Sequence, residues 1–287
     1  MIRFGELRPA FRLALFAVGL AVVAAVAALA GQASGIDAGD DTSASEPAHG
    51  GDGSMAGAYG LSDTASGLTL SIEPASLTAG TKSRLAITIV NGGGDPITGL
   101  RGEDGEPPLH LILVRRDLTG YQHLHPRPTG DGFGVEVTLP RAGIWRAYAD
   151  FEVDGEKVVL GRDLVVPGDF APQAQPALTR SAAADGYRIE LGEDVLRAGT
   201  EATLTFDITR NGRPVAGLQP YLGAAGHLVA IREDDLAYLH VHPLDEPRPG
   251  GLGFDVELDE PGRYVLYLQF KHAGRVHTAP FVVEASR

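Results

Sequence analysis

The chain has 287 residues, a length that suits about two domains of ordinary size. A formal net charge of −13 argues against nucleic acid as a partner, because phosphate contacts need clustered Lys and Arg. Cysteine is absent, which excludes disulfides, thiolate zinc sites, cysteine nucleophiles and His2Cys copper centres, while 38 Gly and 19 Pro call for the many turns of an all-β chain.

In chain order, residues 1–12 carry Arg3, Arg8 and Arg12 and read as a cytoplasmic N-terminus. An uncharged run follows from Leu13 to Ala30; as a helix it would span about 27 Å, enough for a single-pass membrane anchor. The positive flank places everything after it on the extracytoplasmic side of the cell membrane. Cleavage at Ala28-Leu29-Ala30, giving a secreted protein, is the alternative. Residues 31–66 are rich in Gly, Ser, Ala and Asp, lack Lys and Arg, and read as a flexible linker.

From residue 67 onward the chain repeats itself. Gly67-Leu68-Thr69-Leu70-Ser71-Ile72 matches Gly186-Tyr187-Arg188-Ile189-Glu190-Leu191, Ala79-Gly80-Thr81 matches Ala198-Gly199-Thr200, and Gly143-Ile144-Trp145 matches Gly262-Arg263-Tyr264. This predicts two domains, 67–167 and 185–285, joined by a linker at 168–184. Seven strands are expected in the first, near 68–73, 83–90, 109–115, 121–125, 133–139, 144–152 and 157–166. Alternation in Leu85, Ile87 and Ile89 and turn pairs such as Asn91-Gly92 and Asp154-Gly155 mark them. The predicted fold is all-β: two tandem immunoglobulin-like β-sandwich domains after a transmembrane helix and linker.

The chemistry lies in the histidines. His110, His123 and His125 with Pro126 recur as His227, His240 and His242 with Pro243, each displaced by 117 positions. His123 and His125 share one strand face. A four-residue hairpin loop at Asp117-Leu118-Thr119-Gly120 would pair Arg116 with Tyr121. Val114 would then face His123 and Ile112 face His125, with His110 as a diagonal neighbour on the same face. In the second repeat, a hairpin turning at Ala273-Gly274 adds His272 and His277 as diagonal neighbours, where the first repeat offers Val153 and Val159. The second repeat is therefore expected to carry the fuller metal site.

Clustered neutral imidazoles suit copper(II) or zinc(II), with copper(II) favoured outside the cytoplasm, and disfavour oxygen-only calcium or magnesium sites. The same rings could instead form a buried hydrogen-bond network, duplicated along with the domain, and serve a non-metal extracellular interaction module. Enzyme chemistry is not expected. The only motif pointing to it is His240-x-His242-x3-Glu246-x6-Gly253, which is similar to the first metal motif of cupins but lacks that motif's leading glycine and a second motif.

The segments Gly226-His227-Leu228-Val229, Tyr238-Leu239-His240-Val241-His242-Pro243 and Gly274-Arg275-Val276-His277-Thr278 resemble bacterial exported proteins of the YtkA-like kind, described as heavy-metal-binding. They are also broadly similar to the CopC class of copper-binding sandwiches. The resemblance covers the second repeat well and the first more loosely. It implies an anchored or secreted immunoglobulin-like protein that handles copper or another heavy metal, with a metal-transport or redox protein as its partner.

Overall fold

A computed structural model of the chain describes residues 59–287, apart from 103–106, 175, 193–195, 222 and 245–249 and the side chains of His240 and His242. The expected membrane segment at 13–30, and most of the linker before the first repeat, lie outside the described residues. Among those residues no helix is long and apolar enough to cross a membrane.

The described chain is all-β. Its strands are β1 (Thr64–Ala65), β2 (Leu68–Glu73), β3 (Lys82–Asn91), β4 (Leu109–Arg115), β5 (Gln122–Leu124), β6 (Arg127–Thr129), β7 (Gly132–Thr138), β8 (Gly143–Val153) and β9 (Glu156–Val166) in the first repeat. The second repeat contains β10 (Ser181–Ala184), β11 (Tyr187–Leu191), β12 (Glu201–Arg210), β13 (Arg213–Pro214), β14 (Gly226–Arg232), β15 (Tyr238–His240), β16 (His242–Pro243), β17 (Gly251–Glu257), β18 (Gly262–His272) and β19 (Arg275–Ala285). Each repeat is a sandwich of two antiparallel sheets. The first pairs β1-β2-β3-β7-β6 with β5-β4-β8-β9; the second pairs β10-β11-β12-β17-β16 with β15-β14-β18-β19.

Period-two alternation builds the two inner cores. In β3, Leu85, Ile87 and Ile89 point inward while Arg84 and Ala86 face solvent. They meet Leu111, Leu113, Trp145 and Ala147 from the facing sheet. Ile208, Phe206, Leu228, Leu268 and Phe281 do the same in the second repeat. The aligned Trp145 and Tyr264 also act alike, since each donates to a carbonyl four residues earlier, at Arg141 and Glu260.

Strands β4, β8, β14 and β18 break the alternation because both of their faces are buried. Their outer faces form a third core between the repeats, where Ile112, Val114, Tyr148 and Val159 meet Val229, Ile231, Val265 and Tyr267. The contact is nearly two-fold. Tyr148 Oη donates to Leu236 O at 2.7 Å, and Tyr267 Oη donates to Leu118 O at 2.6 Å. Both leucines hold positive φ, 66° and 56°, a conformation disfavoured for an L residue with a Cβ. That conformation sits in each repeat at the carbonyl which receives the other repeat's tyrosine. The segment before β1 adds a further link, for Tyr238 N donates to Tyr59 O while Gly161 N donates to Ser62 O.

The predicted strands of the first repeat are present to within about two residues. The hairpin register differs from expectation. Ile112 pairs with His123 and Leu111 with Leu124, a shift of two residues from the register expected from sequence. The connection is longer than a four-residue turn because Arg115 ion-pairs with Asp117, Thr119 Oγ1 donates to Asp117, and Leu118 and Gly120 take positive φ. A shift of two preserves the face, so His110 and His123 still project to the same side.

Candidate metal centre

The candidate site begins with the parity of β4. Ile112 and Val114 face the second repeat, so His110, two residues before Ile112, faces it too. His123 stands across from Ile112 on β5, and His125 follows just beyond that strand. Three imidazoles thus gather at one margin of the third core. Their ring centroids are 5.1, 5.3 and 4.7 Å apart, and one ligand nitrogen from each lies within 4.8 Å of the others. His227, on β14 of the second repeat, stands 6.2 Å from His110 and 5.8 Å from His123, centroid to centroid.

Hydrogen bonds fix the tautomers. Gln269 Nε2 donates to Thr278 Oγ1 at 3.2 Å, which turns Gln269 Oε1 toward His123 Nδ1 at 2.7 Å. An amide oxygen only accepts, so His123 carries its proton on Nδ1 and a lone pair on Nε2. His110 Nδ1 lies 2.8 Å from that Nε2 and donates to it. His227 Nε2 faces the carbonyl of Tyr221 at 2.9 Å, which places its proton on Nε2 and its lone pair on Nδ1. His125 Nε2 is buried without a hydrogen-bond partner among the described residues.

Burial holds His123 well below the ordinary histidine range; the neighbouring His110 adds to this and the Gln269 bond opposes it. His125 is pushed down to about 4 by burial and then by His227. Both rings are therefore neutral at pH 7, the form that binds metal. A metal–nitrogen bond of about 2.0–2.1 Å puts each ring centre about 3 Å from an ion, so rings sharing a tetrahedral ion stand about 5 Å apart. The three rings of the first repeat fit that spacing. A site of this kind would use Nε2 of His123 and Nε2 of His125, and binding through His110 Nδ1 would require its proton to move to the other ring nitrogen.

A cavity of ≈ 240 Å³ opens beside the rings, bounded by His110, His123 and Asp150 on one side and by His227, Val229 and Tyr238 on the other. Asp150 lies across from His110 on β8 and accepts from Tyr238 Oη at 2.8 Å. Gln269 lies across from His227 in the same way. Sequence reasoning passed over Asp150, Gln269 and Tyr238. The available signal for Asp150 and Gln269 was a single polar residue between apolar neighbours, Ala149-Asp150-Phe151 and Leu268-Gln269-Phe270.

His272 and His277 are not brought to His227, which corrects the expectation of a fuller site in the second repeat. They share a face as predicted, with Phe270 across from His277. That face is the inner one, whereas Gln269 and His227 lie on the outer one. His272 Nδ1 pairs with Tyr187 Oη at 2.6 Å and His277 Nδ1 with Asp185 at 2.8 Å. Across from Phe151 the first repeat has Val158, not Val159. His240 sits across from Val229 on β14, and His242 sits across from Asp255 on β17, in the other sheet. The side chains of both lie outside the described residues, as does Glu246.

A family model described as a domain of unknown function (DUF8832) matches residues 63–167 and again 182–287. No curated protein matches the chain. Similar solved structures include FdeC, an Escherichia coli adhesin, at 16% identity and TM-score 0.26, over 77% of this chain and 64% of that one. A Salmonella alpha-2-macroglobulin mutant matches at 15% identity and TM-score 0.26, over 76% of this chain and 14% of that one. Domains 4 and 5 of the S-layer protein SbsC match at 12% identity and TM-score 0.22, over 77% of this chain and 98% of that one. The chain thus spans less than two thirds of the adhesin and a small part of the macroglobulin.

Proposed function

The chain belongs to the DUF8832 family of domains of unknown function, which it carries twice, and we propose that it is a membrane-anchored extracytoplasmic protein that binds copper(II) or zinc(II) through its histidine cluster. The observation that carries this reading is the convergence of His110, His123 and His125 in a half-buried setting that keeps His123 and His125 neutral, with a lone pair on His123 Nε2 and with His125 Nε2 buried without a hydrogen-bond partner among the described residues. An all-nitrogen donor set of this kind suits Cu(II) or Zn(II) over Ca or Mg. The Gln269 contact resembles the outer hydrogen bonds that fix metal-binding histidines elsewhere.

Each repeat is read as an immunoglobulin-like sandwich, a reading supported by its two antiparallel sheets and its strand spacing. Anchoring rests on the basic flank and the apolar run at 13–30, and secretion is the variant of the same reading. The role is metal handling, with a metal-transport or redox protein receiving the ion, in keeping with the YtkA-like and CopC-like resemblance. A cupin-type enzyme is less well supported, because His240 and His242 pair with strands of different sheets.

One observation favours a second reading. Both ring nitrogens of His123 are hydrogen-bonded within the protein, so the rings could serve as a structural network in an interaction module. X-ray absorption on full-length protein loaded with Zn(II) separates the two. Metal binding predicts a first shell of imidazole nitrogens at about 2.0–2.1 Å. A shell of oxygen scatterers alone would favour the structural network.

A further inference from the structure

Resting on the metal-binding reading, we infer that the ion is shared between the repeats, with His227 as a fourth imidazole and Gln269 as the positioning residue for His123. Gln269 lies in the second repeat, yet its Oε1 sets the tautomer of a first-repeat histidine. Its own orientation is set by Thr278, so the lone pair of His123 is directed by a chain of two hydrogen bonds that begins in the other repeat. His227 is oriented comparably: the carbonyl of Tyr221 takes its Nε2 proton and leaves Nδ1 as the donor nitrogen.

The distances permit sharing. Four rings sharing a tetrahedral ion would each stand about 5 Å from the other three, by the bond lengths above. His227 stands 6.2 and 5.8 Å from His110 and His123, about 1 Å beyond that spacing and outside the group of mutually close ligand atoms formed by His110, His123 and His125, so its ring would swing inward to join the ion. The intervening cavity is bounded by these same rings. An ion there would join β4 and β5 of one sandwich to β14 of the other, so metal binding and contact between the repeats would reinforce each other.

The test uses full-length protein with Cu(II), reading affinity by chelator competition and coordinated imidazoles by pulsed electron paramagnetic resonance. His227→Ala is expected to weaken binding at least tenfold and to remove one coupled imidazole; His227→Gln provides the same test if the alanine variant does not fold. Gln269→Leu is expected to weaken binding about 10–100-fold, whereas Gln269→Glu, which keeps an acceptor for His123 Nδ1, restores it. Unchanged affinity and an unchanged imidazole count in both His227 variants would overturn the shared ion while leaving a first-repeat site intact. Equal weakening by Gln269→Leu and Gln269→Glu would overturn the positioning role. Failure of the wild-type protein to hold Cu(II) on imidazole would overturn both the sharing and the reading beneath it.

Discussion

Gln269 in the second repeat accepts a hydrogen bond from His123 in the first, with 2.7 Å between Oε1 and Nδ1. Its place in β18 is the one that Asp150 holds in β8, since Gln269 stands across from His227 and Asp150 across from His110. The duplicated pair has diverged. Asp150 takes the hydroxyl of Tyr238, while Gln269 takes an imidazole. The histidine cluster is thereby asymmetric within a nearly two-fold interface, and it depends on both repeats being docked.

Acidification should destabilise the metal-free protein through these rings. In an unfolded chain both histidines titrate at about 6.5, while in the fold His125 sits at about 4 and His123 is held well below the ordinary range. Between those values the unfolded chain binds more protons, so stability rises with pH. The contribution is complete above about pH 6.5 and is lost as pH falls toward the folded values. Thermal midpoints measured from neutral pH down to about pH 4 should fall, and His125→Asn should flatten the fall. A variant with the same pH profile as wild type would contradict this.

The third core should contribute strongly to stability. Ile231 is fully buried between the sheets, so Ile231→Ala is expected to cost about 2–5 kcal/mol in urea unfolding. Tyr148→Phe and Tyr267→Phe should each cost about 1–3 kcal/mol, because a buried carbonyl loses its donor. Losses within experimental error for all three would mean that the sheets do not pack in solution as described.

The inner-face histidines of the second repeat should be dispensable for metal. His272 and His277 point toward Tyr187 and Asp185, away from His227. His272→Ala combined with His277→Ala is expected to leave Cu(II) affinity within about twofold, measured by chelator competition, while lowering stability through the lost Asp185 contact. A large loss of affinity would place the ion on the opposite face of the sheet.

Strand positions and the duplication were legible in the sequence because period-two alternation and turn pairs are local signals. The face shared by His110 and His123 was legible for the same reason, even with the hairpin register two residues off: an even shift leaves every side chain on its face. Partnership between the repeats was not legible. Its trace was the apolar run at 111–114 and again at 228–231, inside β4 and β14, which betrays burial on both faces but does not say what covers the second face. The role of Gln269 depends on a contact 146 residues away in sequence, which no local pattern encodes. Preference for the second repeat counted histidines without following strand parity through Phe270, which sends His272 and His277 to the inner face.

Equilibrium dialysis of the full-length protein against Cu(II), with wild type beside a variant carrying His123→Ala and His125→Ala, tests the central claim most directly. The account predicts one ion per chain in wild type and loss of that ion in the double variant, with the fold retained by circular dichroism. Equal stoichiometry and affinity in the two proteins would contradict it.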